Sequence, residues 1–283
     1  MADLLYFNGR WTTTDERVLG VEDRGFQFGD SIYEVFKFEG RRPIFLDEHY
    51  ARMNRGLHDL EIANPWSSAT FESTMRELVR RTEFADGIVY IQISRGEAPR
   101  AHFYPDALEP TVIAYSRSFR FPDSARKQSG IRMITARDLR WKQCHVKSVN
   151  LLANAIAKKQ AQRAGAEEAL LLDDGLVREG ASASFFGVRR GSLITHPLDE
   201  HILPGVVRDW VIKLAIKARV RVDERPLREA EIVDLDEAFI TSTTMGVMPV
   251  SAIDGRAVGS GARGEVTARL QEMLDALESS DGA

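Results

Sequence analysis

Apolar residues along the first part of the chain recur with a period of two. Residues 4–8 and 10–13 flank Asn8-Gly9, the turn pair of a two-residue hairpin, and residues 31–38 and 42–45 repeat the arrangement around Glu39-Gly40. The chain therefore opens as a sheet. The period then lengthens: Tyr50, Met53, Leu57 and Leu60 fall at helical spacing from Asp47 onward, and Phe71, Met75, Leu78 and Val79 predict a second helix from about Ser68. Strand-like runs at 87–94 and 111–116 complete a first unit. Residues 117–128 are polar, contain a proline and keep no period. The boundary is placed there: a smaller N-terminal α/β domain over 1–118, a linker over 119–125, and a larger α+β domain over 126–283.

The second part alternates more quickly. Strands are predicted at 131–136 and 144–149, then a helix over 151–164 closed by Gly165. Short strands at 168–172, 176–178, 184–188 and 193–195 follow, with Asp174-Gly175 and Arg190-Gly191 as hairpin turns. A helix over 205–218, strands at 238–242 and 249–253, a last helix near 265–277 and a fraying tail at 279–283 end the chain. Runs of strands with interspersed helices predict an α+β protein rather than a doubly wound sheet.

Composition narrows the function. The 283 residues are 43% apolar, enough for well-packed cores, and 38 basic against 42 acidic residues are dispersed along the chain. No basic footprint for nucleic acid results. Cys144 is the single cysteine, which excludes an internal disulfide and a cysteine-based zinc cage and fits a reducing compartment, so the cytoplasm is expected. No apolar run approaches the ~18 residues of a membrane span, and the first residues lack a secretory pattern. Six histidines show no metal-ligand spacing, and neither a Gly-x-Ser-x-Gly elbow nor a Walker glycine pattern is present.

Several residues then stand out as candidate chemistry. Lys147, flanked by Val146 and Val149 ahead of an apolar helix, could face a partly desolvated cavity that lowers its pKa and frees a nucleophilic amine. Glu179, at the end of a short strand, could hold a proton on the ring nitrogen of a pyridine cofactor. Taken singly, each reads as well as a solvated surface residue; the pair carries more weight. Leu203-Pro204-Gly205-Val206-Val207-Arg208 opens a helix and offers unpaired N–H groups to a phosphate, or is an ordinary helix start. Thr241-Ser242-Thr243-Thr244 suits a phosphate or any polar turn. Arg100 and His102, alternate residues of an extended loop, could hold one carboxylate together, or the loop is simply basic and solvated.

In order along the chain stand Glu22-Asp23-Arg24-Gly25-Phe26-Gln27-Phe28-Gly29-Asp30, Tyr33-Glu34-Val35, the helix start Glu48-His49 to Arg52, and Ser94-Arg95-Gly96 through His102. They are followed by Lys147-Ser148-Val149-Asn150-Leu151-Leu152, Glu179-Gly180 and Thr241-Ser242-Thr243-Thr244. With these the chain resembles the two-domain fold-type IV pyridoxal-phosphate enzymes, most closely the bacterial D-amino acid aminotransferases, over nearly its whole length. The resemblance implies pyridoxal 5′-phosphate between the two domains, Lys147 as its Schiff-base lysine and Glu179 as the partner of its pyridine nitrogen. It implies Arg52, Val206, Val207 and Thr243 around the phosphate and Leu203 against the ring. Tyr33, Arg100 and His102 match the trap for the substrate carboxylate, with Arg100 and His102 supplied by the neighbouring subunit of a homodimer. The implied reaction transfers the amino group of a D-amino acid such as D-alanine to a 2-oxo acid such as 2-oxoglutarate. A branched-chain L-amino acid or (R)-amine transaminase, or an aminodeoxychorismate-type lyase, is the alternative. Three departures touch binding: Val207 replaces a threonine of the family pattern and loses a hydroxyl, and Pro204 and Met245-Gly246 replace more polar residues near the side-chain pocket.

Overall fold

Asn8 and Gly9 take φ values of 42° and 88°, and this left-handed pair turns β1 (Leu4–Phe7) back onto β2 (Arg10–Thr13). A short α1 (Arg24–Phe28) leads into β3 (Ser31–Glu39), which Gly40 and Arg41, at 56° and 63°, reverse into β4 (Arg42–Pro43). Helices α2 (Leu46–Asp59) and α3 (Ser68–Arg81) precede β5 (Gly87–Ser94) and β6 (Thr111–Ser118). The strands form a six-stranded antiparallel sheet of order β2-β1-β6-β5-β3-β4.

Strand alternation sorts this sheet into two unlike faces. Ile32, Phe36, Phe38, Val89, Ile91, Ile93 and Ala114 are buried on one face, and α2 and α3 pack there with Met53, Leu57, Phe71, Met75 and Leu78. Glu34 shares that face. Tyr33, Val35, Tyr90, Gln92 and Tyr115 line the other, half-buried face, where the Tyr90 ring lies 5.8 Å from Tyr33 and 5.3 Å from Tyr115.

The computed structural model describes residues 4–281, and these divide into two compact units. The first holds the described residues up to Arg120 together with Val146–Asn150 and Asp281; the second holds Phe121–His145 and Leu151–Ser280. The chain changes unit between Arg120 and Phe121, inside the expected linker, but it does so more than once. The stretch around Lys147 belongs with the first unit and not with 126–283. Backbone bonding explains this: Tyr33 N–H donates to Lys147 O at 2.9 Å and Val149 N–H to Ser31 O at 3.1 Å.

In the second unit α4 (Ser124–Ser129), β7 (Ile131–Arg137), α5 (Leu152–Arg163), β8 (Glu168–Asp173) and β9 (Leu176–Gly180) come first. Next are β10 (Ser184–Arg189), β11 (Ser192–Thr195), α6 (Val206–Lys217), β12 (Val222–Glu224) and β13 (Leu227–Arg228). Finally come β14 (Glu237–Ser242), β15 (Gly246–Ile253), β16 (Arg256–Ala257) and α7 (Glu265–Ser280). Their sheet runs β12-β11-β10-β14-β15-β7-β8-β9-β13, with β16 on β15. It is mixed: β7 pairs in parallel with both β15 and β8, β11 with β12, and the remaining pairs are antiparallel. Ile131, Met133, Leu170, Val177, Phe185, Ile240 and Met248 fill its core. Ala157 and Ala161 of α5 meet Ala169 and Leu171 of β8, small residues that let helix and strand approach closely.

Two expectations need correcting. Residues 144–149 form no strand, because Ser148 N–H turns back to Val146 O at 2.8 Å and leaves only the isolated bridge of Ser148 to Ile32. Glu179 stands near the end of β9, as expected. Of the tail expected to fray, Ser279 and Ser280 are helical, and the last two residues lie outside the described ones. Among the described residues no helix is long and apolar enough to cross a membrane.

Phe36 is fully buried between the first sheet and its helices. Phe36→Ala is therefore expected to lower stability by about 3–5 kcal/mol, read as a lower midpoint in urea unfolding; a midpoint unchanged from the parent protein would contradict this core assignment.

Candidate active site

Lys147 is held by its backbone before its side chain does anything. Besides the two bonds to β3, Asn150 Nδ2 donates to Ser148 Oγ at 3.1 Å, and Gly29, at φ +69°, lets the segment approach: a Cβ there would lie 2.4 Å from Asn150 Oδ1. Val146 is buried, whereas Lys147 is half-buried and directs Nζ to a point 4.2 Å from the Tyr33 ring centre. Two predicted site residues, Lys147 and Tyr33, are thus neighbours in the first unit. The electron-rich ring face steadies a cationic amine without tying up a hydrogen-bond acceptor.

Arg52, expected at the phosphate, lies on α2 with its guanidinium against Glu34. Nε donates to Glu34 Oε1 at 2.7 Å and Nη2 to Oε2 at 2.8 Å, while His49 Nδ1 stands 2.8 Å from the same Oε2. Burial disfavours the Glu34 charge, but Arg52 and His49 outweigh it and hold the carboxyl well below the usual carboxylate range. Burial pushes His49 down, so the neutral ring donates from Nδ1. Sequence reasoning missed Glu34 and His49 as partners. One signal was available: Glu34 alternates in step with Ile32, Phe36 and Phe38, which places a carboxylate on the apolar face.

Glu179 is built into the second unit. Its Oε1 accepts from Arg140 Nη1 at 2.5 Å and from the Leu203 backbone N–H at 3.1 Å. Arg140 in turn donates from Nε and Nη2 to Asp138, and from Nη2 to the His201 carbonyl. Burial pushes the Glu179 carboxyl up, and Arg140 and the Leu203 N–H pull it back. Arg140 has no signature in the sequence, because its partner lies far along the chain. Leu203, expected to pack on a ring, contributes a backbone donor as well.

The helix opening at Gly205 and the Thr241–Thr244 turn are neighbours in this unit. Ser184 of β10 pairs with Thr241 of β14, and its Oγ lies 2.8 Å from where a Cβ on Gly205 would be. Gly205 caps α6 with no side-chain hydrogen bond, and Val206 and Val207 form the first turn. Thr241 Oγ1 is buried without a hydrogen-bond partner, and Thr243 follows it at the turn. An orphaned hydroxyl beside a helix N-terminus fits a phosphate ester. Arg208 is not part of this cradle; it is buried and donates to His196 O and Glu224.

Arg100 and His102 lie in the first unit, exposed and on one ring: the Arg100 guanidinium is 4.7 Å from the Phe28 ring centre and the His102 ring 5.9 Å from it. The structure thus brings these two together, as it does Lys147 with Tyr33 and Glu179 with Leu203.

Residues 31–253 match the family model described as amino-transferase class IV. A D-alanine aminotransferase of Bacillus licheniformis is 41% identical over 95% of this chain and 94% of its own, and one from Staphylococcus aureus (strain MSSA476) is 32% identical over 95% of each. Among solved structures, a T.th. branched-chain amino acid aminotransferase with pyridoxamine 5′-phosphate superposes with a TM-score of 0.91 at 27% identity, covering 100% of this chain and 96% of that one. The Escherichia coli branched-chain enzyme gives 0.89 at 25%, covering 98% and 95%.

The chain belongs to the class IV aminotransferases. It has the fold-type IV architecture, it is an aminotransferase, and pyridoxal 5′-phosphate is the cofactor of that fold type.

Two outcomes test these networks. Because the folded-state pKa of Glu34 is depressed below the unfolded value of about 4.3, its contribution to stability is fully present above that pH and is lost as pH falls through the lower folded value. Glu34→Gln should therefore melt lower than the parent protein at pH 7, with the difference narrowing below about pH 4; a difference independent of pH would contradict the pairing. Arg140→Met leaves the effect of burial on Glu179 unopposed by that guanidinium, so the acid limb of kcat/KM should move to higher pH, and an unmoved limb would remove Arg140 from the network.

Proposed function

We propose that this aminotransferase transfers the amino group of D-amino acids, D-alanine among them, to a 2-oxo acid such as 2-oxoglutarate. The observation that carries the reading is the pairing of Arg100 and His102 on Phe28, a cationic and an imidazole side chain side by side on one loop, which suits a substrate carboxylate. The D-alanine aminotransferases at 41% and 32% identity support it. The branched-chain enzymes share the fold at lower identity and make the L-specific reading second.

Bound pyridoxal 5′-phosphate supplies an aldehyde that exchanges amino groups and a ring that accepts electrons. The residues do the rest. Lys147 Nζ would tether the cofactor and, as a free amine, would take the proton from the substrate Cα. Glu179 Oε1 is occupied by Arg140 and Leu203, which leaves Oε2 as the oxygen that would hold a proton on the ring nitrogen of the bound cofactor. The start of α6 at Val206 and Val207, with Thr243, would hold the phosphate, and backbone N–H groups would serve there in place of the hydroxyl that Val207 lacks. Arg52, whose guanidinium Glu34 holds and whose charge it offsets, would stand near the phosphate, and Leu203 would pack on the ring. Tyr33, Arg100 and His102 orient the carboxylate and thereby choose which face of Cα presents its hydrogen to Lys147.

The same residues bear on assembly. Arg100 and His102 act in the site of a second copy in a homodimer, and the protein works in the cytoplasm, as its single buried cysteine suits. Light scattering on the purified protein should return twice the 31.8 kDa chain mass.

Lys147→Ala should abolish transamination and leave the far-UV dichroism unchanged, whereas the parent protein should consume D-alanine and spare L-leucine. Preference for L-leucine would replace the D-specific reading with the branched-chain one, and pyruvate release without an amino acceptor would replace it with a lyase.

A further inference from the structure

Apart from Phe28 and Gly29, the motif from Glu22 to Asp30 has no part in the chemistry above, yet the first unit shows what it holds. Arg24 is 3% exposed. Its Nε donates to Asp30 Oδ2 at 2.9 Å, and its Nη1 donates at 2.9 Å to the carbonyl of Ala101, the residue between Arg100 and His102. The Arg24 guanidinium also lies 4.5 Å from the centre of the Phe28 ring, the ring that Arg100 and His102 share. Phe28 thus has three cationic or imidazole neighbours, and one of them is pinned to the loop that supplies the other two.

Asp30 extends the anchor. It accepts from Arg95 Nε at 2.8 Å and Nη2 at 3.1 Å, and the Arg95 guanidinium stacks 3.6 Å from the Tyr104 ring centre. Tyr104 Oη donates to Glu61 at 2.9 Å, and Arg24 N–H donates to Gly96 O at 2.9 Å. Gly96, at φ +107°, admits the turn: a Cβ there would meet Glu109 O at 2.1 Å. The loop is thereby tied at residues 96, 101 and 104, on both sides of Arg100 and His102. Such ties are more than an exposed loop needs to stay folded; they fix where its side chains stand.

We propose that Arg24, Phe28 and Asp30 are positioning residues for the substrate carboxylate: they set the Arg100–His102 loop in its binding geometry before substrate arrives. The physical gain is preorganisation. A loop ordered only on binding loses affinity to the entropy of ordering it, whereas one ordered beforehand does not. Asp30 lies between the Arg24 and Arg95 guanidiniums, so one carboxylate faces two cations and the cluster keeps a net positive charge beside Arg100. This rests on the carboxylate role given above to Arg100 and His102.

The test compares Arg24→Met, Arg24→Lys, Phe28→Leu and Arg100→Ala in the cofactor-loaded enzyme with D-alanine. Arg24→Met is expected to raise KM about tenfold while kcat stays within about threefold, since a charge-assisted hydrogen bond is lost from binding and not from the proton transfer. Amide exchange over residues 97–104 should quicken with it, and Arg24→Lys, which keeps the charge and one donor, should recover part of both effects. Phe28→Leu, which leaves the Arg24 bonds in place, should raise KM severalfold and decides the matter if Arg24→Met fails to fold. If Arg100→Ala raises KM but Arg24→Met and Phe28→Leu do not, the positioning role is overturned and the carboxylate role stands. If Arg100→Ala itself leaves KM unaltered, the carboxylate role falls and takes the positioning role with it.

Discussion

Two backbone hydrogen bonds, from Tyr33 N–H to Lys147 O and from Val149 N–H to Ser31 O, decide where the candidate catalytic lysine stands. They dock a stretch that is neither helix nor strand onto the start of β3, and they do so with main-chain groups whose positions side-chain motion does not alter. Gly29 is the concession that makes the contact feasible, since any Cβ would collide with Asn150. The Lys147 amine then meets the Tyr33 ring from a fixed base. Fixing the backbone first confines where a long, flexible side chain can place its amine.

Fixed geometry also governs the acids. Glu34, Glu179 and Asp30 are each met by arginine: Arg52, Arg140, and Arg24 with Arg95. Buried ion pairs of this kind contribute little net stability, because desolvating the two charges offsets most of their attraction. What they do supply is direction. Each guanidinium fork presents a planar set of donors that fixes the carboxylate plane, and in Glu179 it occupies one oxygen. Buried polar groups here therefore mark places where orientation matters more than stability.

The candidate anion cradle is assembled differently. The start of α6 and the Thr241–Thr244 turn are joined through Ser184, and the buried, unpaired Thr241 hydroxyl is the cost of keeping that corner polar. Backbone donors at a helix start do not depend on side-chain identity, so Val207 keeps its N–H there although it lacks the hydroxyl of a threonine.

Period and turn chemistry in the sequence were enough to locate the hairpins at Asn8-Gly9, Asp174-Gly175 and Arg190-Gly191, and the helices α2, α3, α5 and α6, to within a few residues. These features are local: a glycine turn or an apolar stripe is specified by residues adjacent along the chain. The ordered motifs also pointed to the family. Period failed at 144–149, where apolar neighbours resembled a strand but the ladder never forms, because the hydrogen bonds go instead to β3 and back to Val146. What the tertiary structure alone decided were the partners. Arg140 for Glu179, Glu34 for Arg52 and Arg24 for the Ala101 carbonyl are each pairings between residues distant in the chain. A charge carries no mark of the residue it will meet; only the fold, by excluding water around both, makes one particular opposite charge its necessary neighbour.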